Sequence, residues 1–117
     1  MAETEVMRPI EIYREEHTTW NLERAISVFA EDAKFIMVGR PPYEGKKAIL
    51  KLFEELKSGQ KDMLMKHLRV ITSGNQAAVE WETTGTWADG SDIHMNGANI
   101  YEVENGKIKY LHIYRDR

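Results

Sequence analysis

Cysteine is absent from this 117-residue chain, which excludes a disulfide scaffold, a zinc knuckle and a thiol nucleophile together. That lack suits a reducing compartment, and a cytoplasmic protein is expected. Proline is scarce: two of the three residues are Pro41-Pro42 in one turn, so no linker or low-complexity tract is present. No apolar run approaches the ~20 residues of a membrane-crossing helix. The acidic opening Met1-Ala2-Glu3-Thr4-Glu5 lacks the basic start and apolar run of a secretory leader. Positive charge is not in excess: 16 Lys and Arg against 19 Asp and Glu leave -3, which gives nucleic acid no footprint. His17, His67, His94 and His112 fall in no recognised metal spacing, so no metal is expected. No carboxylate is expected on an apolar stripe or strand face, which argues against a paired-carboxylate glycosidase. With 42% hydrophobic and 30% charged residues, the chain reads as one globular domain over 1–117 needing no cofactor.

What is present is periodicity. Val6, Ile10, Tyr13, His17 and Trp20 recur at helical spacing and predict a helix over 6–20 with one buried stripe. Asn21 can cap a second helix from Leu22 to about Ala30, followed by a strand over 33–38. A turn through Arg40 and Tyr43 leads to a third helix over 46–57, with Ile49, Leu52, Phe53 and Leu56 on its inner face. The rest reads as strands over 63–72, 76–87, 91–104 and 107–115, the last two joined by Asn105-Gly106, which suits a type I′ turn. The expected class is α+β: three helices covering one face of a strongly curved meander.

Alternation along the strands selects candidate site residues. Asn99 is the one amide on a face otherwise made of Ile93, Met95, Gly97, Tyr101 and Val103, so it should point into the core or a cavity and needs a partner there. His67 shares a face with Met63, Met65, Arg69 and Ile71, unless a bulge reverses it. Trp81 and Thr83 alternate with Glu80 and Glu82, which should face outward. Trp20, Phe35, Met37, Met63, Met65, Trp81 and Met95, with Leu111 and Ile113 from the last strand, suit either a packed core or the wall of a pocket for a flat apolar ligand. Tyr43 and Arg40 are placed at its mouth, and Arg69 would bind an acidic substituent or pair with a carboxylate.

The order of elements, with Asn21-Leu22-Glu23-Arg24-Ala25-Ile26-Ser27-Val28-Phe29-Ala30-Glu31-Asp32-Ala33, Tyr43-Glu44-Gly45-Lys46-Lys47-Ala48-Ile49 and Asn105-Gly106-Lys107-Ile108, resembles the NTF2-like cone fold over nearly the whole chain. That superfamily includes ketosteroid isomerases, SnoaL-like polyketide cyclases, scytalone dehydratase and limonene epoxide hydrolase. The resemblance implies a mixed, mostly antiparallel sheet. Against ketosteroid isomerases, Tyr13 falls at the oxyanion-hole tyrosine, Asn99 at the protonated aspartate and Met37 at the catalytic base. Against scytalone dehydratase, His67 falls at the strand histidine, Asn99 at the asparagine and His17 at the supporting aspartate. The implied activity is a cofactor-independent isomerase, cyclase or lyase acting on a small apolar carbonyl or hydroxyl compound. Tyr13 and Asn99 would hold the oxyanion, and His67 with His17 would move the proton. The same fold also suits a non-catalytic small-molecule carrier or an association domain. A homodimer through the outer sheet face, with Ile100, Tyr110, His112 and Tyr114, is the expected assembly.

Overall fold

The computed structural model describes residues 2–115. Helix α1 (Glu3–Thr19) buries Val6, Ile10, Tyr13 and His17, the stripe expected from their spacing. It starts earlier than the apolar pattern suggests and runs through Pro9, which lies buried inside it. Helix α2 (Leu22–Ser27) is capped by Asn21, whose side chain accepts from the Arg24 N–H at 3.1 Å. It ends three residues before the expected Ala30. Phe29 already belongs to strand β1 (Phe29–Met37), where it pairs with Ile108 and meets the rings of Tyr13, Phe35 and Phe53. Strand β2 (Tyr43–Glu44) and helix α3 (Lys46–Ser58) follow, then the long strands β3 (Gln60–Ser73), β4 (Gln76–Trp87), β5 (Asp92–Glu104) and β6 (Lys107–Arg115).

The six strands form one sheet in the order β2-β1-β6-β5-β4-β3. Among the described residues, only β1 and β6 pair in parallel, so the sheet is mixed and mostly antiparallel, and it does not close on itself. Register shifts place extra residues in β1, β3 and β6, and such bulges bend a strand and increase its twist. The Asn105-Gly106 hairpin is present with positive φ at both residues, 53° and 74°. The core lies between the helices and the inner face of the sheet, where Tyr13, Phe29, Phe35 and Phe53 pack ring against ring.

Two expectations are corrected here. The bulge between His67 and Arg69 keeps His67 on the inner face but sets Arg69 opposite Glu80 on the outer one, where the two pair at 3.3 Å; Ile71 is likewise exposed. A carboxylate is also buried: Glu16, one helical turn beyond Tyr13, is 2% exposed. Burial alone would raise its pKa, but the Thr19 hydroxyl, the Arg24 guanidinium at 2.6 Å and the Asn21 N–H at 2.8 Å hold it below the usual carboxylate value. These bonds lock the α1–α2 corner. They fix Trp20 in the left-handed region at φ 46°, a conformation that a bulky residue adopts only when its surroundings impose it.

Candidate active site

Between α1, α3 and the inner face of the sheet lies a mostly apolar cavity of about 80 Å³, open to solvent on one side. Helix periodicity brings Tyr13 and His17 into its wall one turn apart, with ring centroids at 4.6 Å. The left-handed turn at Trp20 swings that indole into the same wall, where Nε1 donates to Gln60 Oε1 at 2.8 Å. Phe35 and Met37 enter from β1, Met63 and Met65 from β3, Trp81 from β4, Met95 and Asn99 from β5, and Ile113 from β6. Tyr13 and Asn99, from the first helix and a late strand, therefore share one cavity.

Five residues expected at the site or its mouth, His67, Arg69, Arg40, Tyr43 and Leu111, lie outside this wall. His67 turns towards α1, where Nδ1 lies 3.2 Å from Glu11 Oε2. Glu11 also accepts from Arg14 Nε at 2.6 Å, so the carboxylate beside His67 comes from a helix position that the sequence pattern left out. Arg69 is outside because of the bulge. Tyr43 packs on the core from β2, with its hydroxyl taking a bond from Arg40 at 3.0 Å, and Leu111 is fully buried. Conversely, Leu56, Gln60, Thr83, Trp87 and Arg115 line the cavity without having been singled out. Thr83 was legible by alternation with Trp81; the others depend on where α3 and the sheet ends come to rest.

The polar groups are held in defined states. A carbonyl can only accept, so the 3.0 Å contact between His17 Nδ1 and the Tyr13 carbonyl fixes the proton on Nδ1 and leaves Nε2 with a free lone pair. Burial, with a smaller contribution from His67, lowers the His17 pKa from 6.5 to about 4, despite the opposing bond to Tyr13. The ring is neutral at physiological pH. Burial likewise raises Tyr13 well above the ordinary phenol value, reinforced by Tyr101, so its hydroxyl stays protonated.

Asn99 is partnered by side chains rather than backbone. An indole N–H can only donate, so the Trp81 Nε1 contact at 2.8 Å identifies the Asn99 oxygen, and Nδ2 then donates to the Tyr101 hydroxyl at 2.9 Å. One amide hydrogen remains beyond that chain of bonds. The chain depends on Gly97: a Cβ there would lie 2.5 Å from Trp81 Cζ2 and 2.4 Å from the Tyr114 carbonyl oxygen.

The family model for the SnoaL-like domain matches residues 11–111. The chain belongs to the SnoaL-like family. No curated protein sequence matches it. Solved structures do resemble this SnoaL-like domain. An NTF2-like protein of unknown function from Burkholderia pseudomallei has a TM-score of 0.86 at 15% identity, covering 99% of this chain and 92% of that one. An LEH-like epoxide hydrolase from M. tuberculosis has 0.84 at 18%, covering 97% and 84%. A protein from Catenulispora acidiphila with a ketosteroid isomerase-like fold, solved with trimethylamine, has 0.83 at 12%, covering 92% and 84%. At such identities the likeness is one of fold, and it establishes the NTF2-like cone architecture. Among the described residues, no helix is long and apolar enough to cross a membrane.

Proposed function

We propose that this SnoaL-like domain binds a small, mostly apolar carbonyl or hydroxyl compound in the cavity. Without a cofactor, it moves a proton on that compound towards isomerisation, cyclisation or elimination. One observation carries the reading: a phenol kept protonated and an imidazole kept neutral with a free Nε2 line the same apolar cavity, one helical turn apart. His17 Nε2 takes a proton from the carbon beside the substrate carbonyl, while the Tyr13 hydroxyl donates to the oxygen that gains charge. The remaining Asn99 N–H supports that oxygen, and the proton returns from His17 to a carbon of the enolate.

This assignment moves the base from His67 to His17. An imidazole of pKa about 4 has the basicity of a carboxylate. Ketosteroid isomerases use an aspartate of pKa about 4.6 for the same step. His67 and Glu11 are given a positioning role behind α1. The small ligand bound by the Catenulispora protein of like fold supports a ligand-holding cavity.

The test is deuterium exchange at the carbon beside the carbonyl of cyclohexanone in heavy water, followed by proton NMR. Exchange above the buffer rate is expected, and Tyr13→Phe, which keeps the ring packing, should slow it on the order of a hundredfold. Absence of protein-dependent exchange would leave the carrier reading in its place.

The outer sheet face supports pairing with a second copy of the chain. Leu64, Leu68, Ile71, Ile100 and Tyr114 are exposed on the strands, and the Tyr114 ring stacks on His112 at 4.1 Å. Ile100 faces outward between Ala78 and His112. Sedimentation should find a dimer, and Ile100→Glu should yield a folded monomer. A monomeric wild-type protein at micromolar concentration would refute the pairing.

A further inference from the structure

Thr83 is 1% exposed, lines the cavity, and its Oγ1 has no hydrogen-bond partner among the described residues. Its neighbours across the strands are Met65 and Met95, whose thioethers are at best weak acceptors. Several other polar groups of the wall are already bonded within the protein: the Trp20 indole to Gln60, the Trp81 indole to Asn99, and His17 Nδ1 to the Tyr13 carbonyl. Among the described residues, the other buried unpartnered side-chain atom is His67 Nε2, which lies outside the wall. An unpaired buried hydroxyl is a net destabilisation that valine, of nearly the same shape, would avoid. A lone water is a poor remedy, because it needs two or more polar partners and two methionines flank this position.

We infer that Thr83 is a ligand-binding residue, and that the cavity takes compounds with two oxygens, one bonded at Tyr13 and the second at Thr83 Oγ1. This rests on the reading of the cavity as the ligand site and narrows its substrates to diketones, hydroxy-ketones and dihydric phenols. Thr83 lies four residues along β4 from Val79, the partner of Asn99, so the two polar positions are well separated along the strand. The second oxygen therefore belongs at the far end of the molecule from the first. Met65 and Met95, beside Thr83, are flexible enough to give way to ligands of differing length.

The experiment is calorimetric binding to the wild-type protein, Thr83→Val and Thr83→Ser, using two matched pairs: para-cresol with hydroquinone, and para-phenylphenol with para,para′-biphenol. In at least one pair the wild type should bind the two-oxygen member about tenfold more tightly. Thr83→Val should erase that preference while leaving affinity for the one-oxygen member within about twofold, and Thr83→Ser should retain it. A preference that survives Thr83→Val, or no preference or no binding in either pair, would overturn the inference. The measurement involves no turnover. If Thr83 behaves as expected but cyclohexanone does not exchange, only the proton-transfer reading fails.

Discussion

Gly97→Ala should destabilise the folded protein by about 3 kcal/mol or more, a large part of the roughly 5–15 kcal/mol available to a domain of this size. The added methyl would sit 2.4 Å from the Tyr114 carbonyl oxygen and 2.5 Å from Trp81 Cζ2. The indole could move, but the Tyr114 carbonyl is backbone on the neighbouring strand, where β5 and β6 pair through Gly97 and Arg115. Moving the indole would also break its bond to Asn99 and leave a buried amide oxygen unpaired. Urea unfolding of Gly97→Ala, Trp81→Phe and the double variant separates the two clashes. Trp81→Phe should recover only the part due to the indole, so the double variant should remain less stable than Trp81→Phe alone. Wild-type stability for Gly97→Ala would mean that the indole does not lie against this strand, and the Trp81–Asn99–Tyr101 chain would go with it.

Gly97 also shows how much of the site could be read from the sequence. Alternation placed Asn99 on the inner face, helical spacing put Tyr13 and His17 on one stripe, and Asn105-Gly106 marked the last hairpin; each is a local signal with a fixed period or a demanding backbone conformation. Features that depend on what arrives from elsewhere in the chain were not legible. Arg69 reads as inward until the bulge after His67 adds a residue and reverses the alternation. Glu16 reads as a surface residue because its burial depends on donors supplied by the next helix and the corner before it. The need of Asn99 for a partner was plain, but the partners, Trp81 and Tyr101, become neighbours only once the strands pair. Glu11 poses the same problem at the rim: a half-buried charged helix position whose partner His67 comes from 56 residues away in sequence.

His17→Asn should lower the exchange rate by about 10²–10⁴, the range typical for loss of a general base, while its amide can still donate to the Tyr13 carbonyl. The pH dependence makes the assignment specific. With a pKa of about 4, wild-type His17 stays in its basic form through the neutral range, so the rate should be flat from pH 8 to about 5 and fall with a midpoint near 4. A break near 6.5 would instead indicate a solvated histidine and remove His17 from the role. Stability should follow the same group. Because the folded pKa lies below the unfolded value of 6.5, the unfolded chain binds the additional proton between pH 6.5 and 4. The stability present above pH 6.5 is therefore lost as the pH falls towards 4, by about 3 kcal/mol for this side chain. His67, also lowered by burial, adds a slope of the same sign that should persist in the variant. His17→Asn should thus be about as sensitive to urea at pH 7 as at pH 5 once the His67 part is taken from a His67→Gln control. If it keeps the wild-type loss of stability between those pH values, His17 is not the buried neutral ring on which the proposed chemistry depends.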